Sequence, residues 1–196
     1  MRVRDPNTGK AYFAKQRRRY DGDRLPRELT FSCFRGYRFL LTDRTRTWFL
    51  DALEDSRSKW PIDLWAYVLM PEHVHLLVAP RESGVEVGRF AGAVKEKVAR
   101  KAIAWLVEHS PEWIPRITVV EGSKTRRRFW QPGGGYDRSV EKLETLESMI
   151  DYVHANPVRR GLVERPEDWE WSSAGWYAGA SSVRIEMDRT LPTFEG

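Results

Sequence analysis

The stretch Tyr67-Val-Leu-Met-Pro-Glu-His-Val-His-Leu-Leu-Val-Ala-Pro80 contains two apolar runs separated by a Pro-Glu turn. Residues two apart in an extended strand share one face of a sheet, so His73 and His75 are predicted to point the same way. Three apolar side chains then point the other way, into a core: Val74, Leu76 and Val78. The stretch predicts a hairpin, with strands at 62–70 and 74–79.

Two imidazoles on one strand face are half of a metal site. The chain has 4 histidines, and two of them lie in this stretch. The alternative is a half-buried strand that carries two histidines without a metal. We favour the metal site and take His73 and His75 as its first two ligands.

The composition indicates a single globular domain with tails. The chain has 196 residues, of which 41% are hydrophobic, enough for a sizeable core. Lys and Arg number 33 against 28 Asp and Glu, and the net charge of +5 favours a polyanionic partner. A single cysteine, Cys33, excludes a disulfide within the chain and a cysteine-rich zinc site.

Neither a signal peptide nor an apolar run of about 18 residues is recognisable in the sequence. Together with the single cysteine, this predicts a cytoplasmic protein without a membrane partner. Residues 1–27 are predicted to form a basic flexible arm, with a cluster at 15–20. Either a solvated tail or a DNA-contacting arm fits that composition.

The periodicity of the central region predicts alternating strands and helices. The predicted order is a strand at 28–37, a helix from 42 or 43 to 59, the hairpin, a helix from 83 or 84 to 107, and a strand at 116–121. This is the split βαβ, ferredoxin-like pattern of the α+β class, an antiparallel sheet with helices on one face. RNA-recognition modules share it, so the pattern alone does not decide function.

Two basic surfaces are candidates for DNA contact. Three arginines precede two aromatic rings in the loop 124–138, and charges with rings are the parts of a single-strand binding surface. The residues concerned are Arg126, Arg127, Arg128 and Trp130, and a glycine run follows at 133–135. Lys97 and Lys101 lie on the polar face of the second helix. Ordinary solvation of that face, or a basic loop with one buried tryptophan, is the alternative.

A further helix is predicted from Ser139 to about 155, ending before Pro157. Its apolar stripe is Leu143, Leu146, Ile150 and Val153. At 100° per residue Tyr152 lies opposite that stripe, and Asn156 follows one turn later. Arg159 and Arg160 come next and are suited to phosphate contact.

Several ordered motifs resemble those of REP-associated tyrosine transposases, single-strand DNA nucleases of the HUH superfamily. They are the stretch 67–80 with its two histidines, the Phe-Trp-Gln and Gly-Gly-Gly-Tyr-Asp-Arg segments, Asp151-Tyr-Val-His-Ala-Asn-Pro-Val-Arg-Arg-Gly-Leu-Val163, and Pro166-Glu-Asp-Trp-Glu-Trp-Ser-Ser173. The resemblance covers residues 28–177, which we therefore expect to form the catalytic domain, followed by a C-terminal tail at 178–196.

The resemblance implies a function and a site. Tyr152 would be the nucleophile, and His73, His75 and Asn156 would hold a divalent metal, Mg²⁺ or Mn²⁺. The expected reaction is nicking and strand transfer on single-stranded, hairpin-containing repeat DNA through a 5′-phosphotyrosine. Monomer and homodimer stay open. Two alternatives remain: a silent, domesticated hairpin-binding protein, and an RNA-binding module, which would need aromatic residues on the central strands. Tyr136 is the second candidate nucleophile.

Overall fold

The computed structural model describes residues 2–4, 11–13, 24–133, 135–140 and 142–191. The basic cluster at 15–20 lies outside the described residues, as does most of the predicted arm. The elements in chain order are β1 (Arg2–Arg4), β2 (Ala11–Phe13), β3 (Arg27–Ser32), α1 (Asp43–Arg57), β4 (Ile62–Leu69), β5 (His73–Pro80), α2 (Val87–His109), α3 (Ile114–Ile117), β6 (Thr118–Glu121), β7 (Lys124–Arg127), β8 (Tyr136–Ser139), α4 (Leu143–Arg159) and α5 (Ala174–Tyr177).

The main sheet has four antiparallel strands in the order β4-β5-β3-β8. The two strands on either side of α1, namely β3 and β4, are separated in the sheet by β5, which is the ferredoxin-like arrangement. The predicted α+β class and the antiparallel sheet are confirmed. β1 pairs with β2, and β6 pairs with β7, in two separate two-stranded sheets.

The helices α1 and α2 cover one face of the sheet. The hydroxyl of Thr42 accepts from the backbone N–H of Thr45 and caps α1. The apolar face predicted for α2 is buried at every position: Val87, Phe90, Ala91, Val94, Val98 and Ala102. These residues pack against Val74, Leu76 and Val78, the core side of β5.

The helix α4 lies on the opposite face, over β4 and β5. Its predicted stripe is buried at Leu146, Ile150 and Val153, and it packs against Leu77 and Ala79 of β5. Both faces of β4 and β5 are therefore covered, which explains their nearly continuous apolar sequence. Because His73 and His75 share the face of Leu77 and Ala79, α4 packs on the histidine side of the sheet.

The fourth strand of the sheet is β8, not the predicted strand at 116–121. That segment contributes β6, which pairs locally with β7 and leaves Val120 74% exposed. β8 instead aligns against β3, with Thr30 opposite Tyr136. Gly135 makes this possible: its φ is +77°, and a Cβ there would lie 2.1 Å from the carbonyl oxygen of Thr30. Gly135 thus combines a positive φ with a close backbone approach to β3.

Three predicted boundaries are also corrected. β3 ends at Ser32, because the chain turns at Arg35 and Gly36, both with positive φ. Ser139 is the last residue of β8, so α4 starts at Leu143. Pro157 lies inside α4, and Gly161, with φ +64°, follows its end.

The described part of the C-terminal segment packs along β4. The backbone N–H of Leu64 donates to a carboxylate oxygen of Asp188 at 2.8 Å, beside a bulge in β4, and Ile185 and Met187 are buried. The segment thereby protects an edge strand. The predicted domain boundaries remain predictions. None of the described helices is both long enough and apolar enough to cross a membrane.

Candidate active site

The two histidines of β5 form the centre of the candidate site. Their ring centroids are 5.0 Å apart, and the planes are nearly perpendicular at 81°. His75 is buried and His73 is half-buried. The shared strand face predicted from their spacing agrees with the pairing of β5, in which Thr30 lies opposite His75 and Ser32 opposite His73.

Each imidazole is held through its Nδ1 atom. Nδ1 of His75 lies 2.9 Å from Oγ1 of Thr30 and 3.5 Å from a carboxylate oxygen of Glu28. Nδ1 of His73 lies 3.1 Å from a carboxylate oxygen of Glu72. These contacts orient the rings and make Nε2 the nitrogen that an ion could bind, the usual arrangement around metal-binding histidines.

The pKa of His73 is lowered by burial and by the neighbouring His75. The neutral imidazole is therefore favoured, and only the neutral form can bind a metal. Glu72 opposes this shift through its charge. The same carboxylate accepts from the guanidinium of Arg160, which ties the end of α4 to the turn before β5. Arg38 and Arg160 both line an open pocket beside Glu72.

Asn156 is buried on α4, and its side-chain nitrogen donates to the carbonyl oxygens of Tyr152 at 2.8 Å and Val153 at 3.3 Å. The second carbonyl has lost its helical donor, because Pro157 has no N–H. Because the side-chain nitrogen of Asn156 is engaged in these hydrogen bonds, Oδ1 is the atom of this side chain that could bind a cation. Among the described residues no group of three or more His, Cys, Asp and Glu could hold a metal. A metal site at the histidines would therefore need a third ligand of another type, and Asn156 remains the predicted one, with an amide oxygen that suits a divalent ion.

Tyr152 is the tyrosine that the fold brings to the histidines. Its ring centroid lies 5.8 Å from that of His75, with the planes at 86°. The side chain is 42% exposed, as predicted for a residue opposite the apolar stripe. Arg159 lies over the ring at 5.2 Å. The phenol is thus accessible from solvent and flanked by one cationic side chain.

Two further tyrosines, Tyr136 and Tyr177, also follow the histidine pair in the chain and differ from Tyr152 in their surroundings. Tyr177 donates its hydroxyl to the carbonyl of Trp65 at 2.7 Å, and burial raises its pKa to about 12. It is a packing residue. Tyr136 is 48% exposed on the edge strand β8, two strands away from β5.

The predicted DNA contacts divide into two groups. Arg126 and Arg127 are exposed on β7. Arg159 and Arg160 are exposed at the end of α4, where Arg159 lies over the Tyr152 ring and Arg160 pairs with Glu72. Arg128 is only half exposed and pairs with Glu121, so it braces the β6–β7 ribbon. Just after this ribbon, Trp130 forms an isolated strand bridge with Cys33, the residue that follows β3. Because Ser32 at the end of β3 lies opposite His73, the ribbon begins at the His73 end of the sheet.

The remaining three DNA contacts are placed elsewhere. Trp130 is a correction: it is 6% exposed, its Nε1 donates to the carbonyl of Lys95, and it packs edge-on against Phe31, so it belongs to the core. Lys97 pairs with Asp55 of α1, and Lys101 lies 3.7 Å from Asp51. Both lysines belong to the helical layer across the sheet from the histidines, and the fold does not bring them to the site.

Sequence reasoning missed the three residues that orient the histidines. Glu72 is adjacent to His73, and a carboxylate beside a histidine could have indicated it. Glu28 and Thr30 alternate on β3, and two polar residues at that spacing signalled a polar stripe on its face. His154 has a structural role: its Nε2 lies 2.7 Å from the Ser173 hydroxyl, and burial lowers its pKa to about 4.

No family model matches the chain. A candidate REP-associated tyrosine transposase of Haemophilus influenzae is 25% identical over 144 residues, which cover 70% of this chain and 77% of that protein. A solved REP-associated tyrosine transposase bound to a REP hairpin matches 93% of this chain and 96% of its own, with 18% identity and a TM-score of 0.65. A candidate transposase of Deinococcus radiodurans gives a TM-score of only 0.43 at 21% identity, over 70% of this chain and 95% of that one. The chain is therefore similar to REP-associated tyrosine transposases in both sequence and fold, as its motifs indicated.

Proposed function

We propose that this protein nicks and rejoins single-stranded DNA next to a hairpin, with Tyr152 as the nucleophile. The observation that carries the proposal is the contact between Tyr152 and His75, whose ring centroids lie 5.8 Å apart although the residues are far apart in sequence. The hairpin substrate is inferred from the solved transposase of the same fold, which is bound to one.

The reaction follows from a phenol that stands beside a metal-binding pair. The phenolic oxygen of Tyr152 attacks phosphorus, the bond from phosphorus to the 3′ oxygen breaks, and the 3′ oxygen leaves with a proton as a hydroxyl. The 5′ phosphate stays on the tyrosine, so the same hydroxyl, or another, can attack it and reseal a strand. Energy is conserved in the phosphotyrosine, which suits strand transfer better than hydrolysis.

The residues around Tyr152 have separate roles in this scheme. A divalent ion held by His73, His75 and Asn156 would polarise the scissile phosphate and stabilise its developing charge. Thr30, Glu28 and Glu72 orient the two imidazoles. Arg159 lies over the phenol ring, and its charge is suited to contact with the scissile phosphate.

A covalent adduct tests the proposal. The full chain is incubated with a short DNA hairpin that carries a single-stranded 5′ extension, with Mn²⁺ or with a chelator. We expect a protein–DNA adduct that depends on the metal, and a released fragment with a free 3′-OH. Peptide mapping should place the adduct on Tyr152.

The variant Tyr152→Phe lacks one hydroxyl and is the matched control. It should bind the hairpin as the parent does and form no adduct. Hairpin binding without an adduct in the parent chain, at any Mn²⁺ concentration, would mean a silent DNA-binding protein. An adduct that persists in Tyr152→Phe would assign the nucleophile to another residue.

A further inference from the structure

Among the residues that the structure describes, those of α4 cover only half of the histidine face of the sheet. α4 packs over β4 and β5, whereas the half formed by β3 and β8 presents Ser32, Tyr136 and Arg138 as exposed side chains. Residues directly opposite in antiparallel strands share a face. The pairings therefore set His75, Thr30 and Tyr136 in one row across the sheet, all on the histidine side.

We infer that Tyr136 is a stacking platform for a nucleobase of the single strand, beside the cleavage site. The inference rests on the proposed function, because it places a second part of the same DNA. An accessible aromatic ring next to a cationic side chain is the combination that binds single strands. Tyr136 is 48% exposed, and Arg138 shares its face of β8 two residues further on.

The position of β8 is fixed by contacts on both sides of Tyr136. Gly135, with φ +77°, lets the chain approach Thr30 more closely than any Cβ would allow. On the other side of the strand, Asp137 forms an ion pair with the buried Arg27 at 3.3 Å. The phenol ring is therefore carried by an anchored strand, which lowers the conformational cost of stacking.

The spacing of the strands separates the role of Tyr136 from that of Tyr152. Adjacent strands lie about 4.8 Å apart, so the backbone of Tyr136 is about 10 Å from that of His75, two strands away. Tyr152 contacts His75 directly, with ring centroids 5.8 Å apart. One phosphate bound at the histidines is then next to Tyr152, and a base further along the same strand reaches Tyr136.

The test measures stacking in the full-length Tyr152→Phe chain, which cannot cleave. The probe is a DNA hairpin with a single-stranded extension in which 2-aminopurine replaces one base at a time. We expect quenching at one or two adjacent positions. Tyr136→Leu keeps the bulk and loses the π face, so it should abolish the quenching and weaken binding about tenfold. Tyr136→Phe keeps the ring and should retain both signals.

Tyr136→Ala, checked for fold by circular dichroism, should behave as Tyr136→Leu does. Unchanged quenching in the Leu and Ala variants would overturn the inference. So would an adduct, in the chain with Tyr152 intact, that maps to the Tyr136 peptide. If the protein bound no DNA hairpin at all, the proposed function would be overturned, and the stacking platform with it. If the adduct formed normally but no 2-aminopurine position were quenched, only the stacking platform would be overturned.

Discussion

Oε1 of Glu72 lies 3.1 Å from Nδ1 of His73, its neighbour in the chain. The same oxygen accepts from the guanidinium of Arg160 just after α4. One carboxylate thus joins the element that carries the histidines to the element that carries Tyr152. The relative position of Tyr152 and His73 depends in part on this ion pair.

Removal of that carboxylate should weaken metal binding. Glu72→Ala leaves Nδ1 of His73 without its acceptor, so the ring loses its fixed orientation. We expect Mn²⁺ affinity to fall about 10- to 100-fold, as for other partners of metal-binding histidines. Calorimetric titration with Mn²⁺ in the absence of DNA measures the effect. The control is Glu167→Ala, which removes a carboxylate that pairs with exposed Arg165. Equal Mn²⁺ affinity in both variants would contradict the role assigned to Glu72.

The close approach at Gly135 predicts a stability difference between two glycine variants. In Gly135→Ala the added Cβ would meet the Thr30 carbonyl oxygen at 2.1 Å, at a φ of +77°. Gly122 also has a positive φ, +61°, but no heavy atom within 4 Å. Gly122→Ala should lower the free energy of unfolding by about 1 kcal/mol from the backbone alone. Gly135→Ala should lower it by about 3 kcal/mol, because the added Cβ would both strain the backbone at Gly135 and push β8 away from Thr30. Urea denaturation compares the two, and similar losses would contradict the packing at Thr30.

The sequence was sufficient for features that depend on local period. The alternation around His73 and His75, the stripe of α2 and the polar side of α4 that carries Tyr152 follow from periods of 2 and 3.6 residues. The fourth strand was beyond such reasoning. Its sequence, Tyr-Asp-Arg-Ser, has no apolar alternation, and its place depends on the non-local pairing with β3. The valines of β6 have high strand propensity, but they pair locally instead.

The burial of Trp130 could not be read from its neighbours. A tryptophan after three arginines is equally typical of a stacking surface and of a chain that returns to the core. Its burial depends on a tertiary contact with Phe31 of β3, whose ring centroid lies 5.2 Å from that of Trp130. Thr30 and Glu28 were missed for a related reason: their function depends on the register between β3 and β5.

His154 predicts a specific loss of stability in acid. Burial lowers the pKa of His154 to about 4 in the folded protein, whereas the pKa of the same side chain in the unfolded chain is near 6.5. The unfolded state therefore binds the proton first as the pH falls, so the stabilisation by neutral His154 is present above pH 6.5 and is lost towards pH 4. The expected loss is about 3 kcal/mol over that window. Unfolding free energies of the parent and of His154→Gln, which does not titrate, should converge as the pH is lowered. Parallel curves for the two chains would contradict the neutral buried state.

Salt dependence distinguishes the two basic surfaces. Arg126 and Arg127 are exposed on the β6–β7 ribbon at the His73 end of the sheet, whereas Lys97 and Lys101 lie near α1 carboxylates in the layer beyond the sheet. Phosphate contacts release counterions, and each contact adds about 0.7 to the slope of log affinity against log salt for a single strand. The double variant Arg126→Gln/Arg127→Gln should therefore reduce that slope by about 1.4 if both residues contact phosphates. Lys97→Gln/Lys101→Gln removes the same charge and should leave the slope unchanged. Fluorescence anisotropy of a labelled DNA hairpin, titrated at several salt concentrations, gives both slopes. An equal change in the two double variants would mean that only net charge matters, and a change confined to the lysine pair would place the DNA on the helical layer.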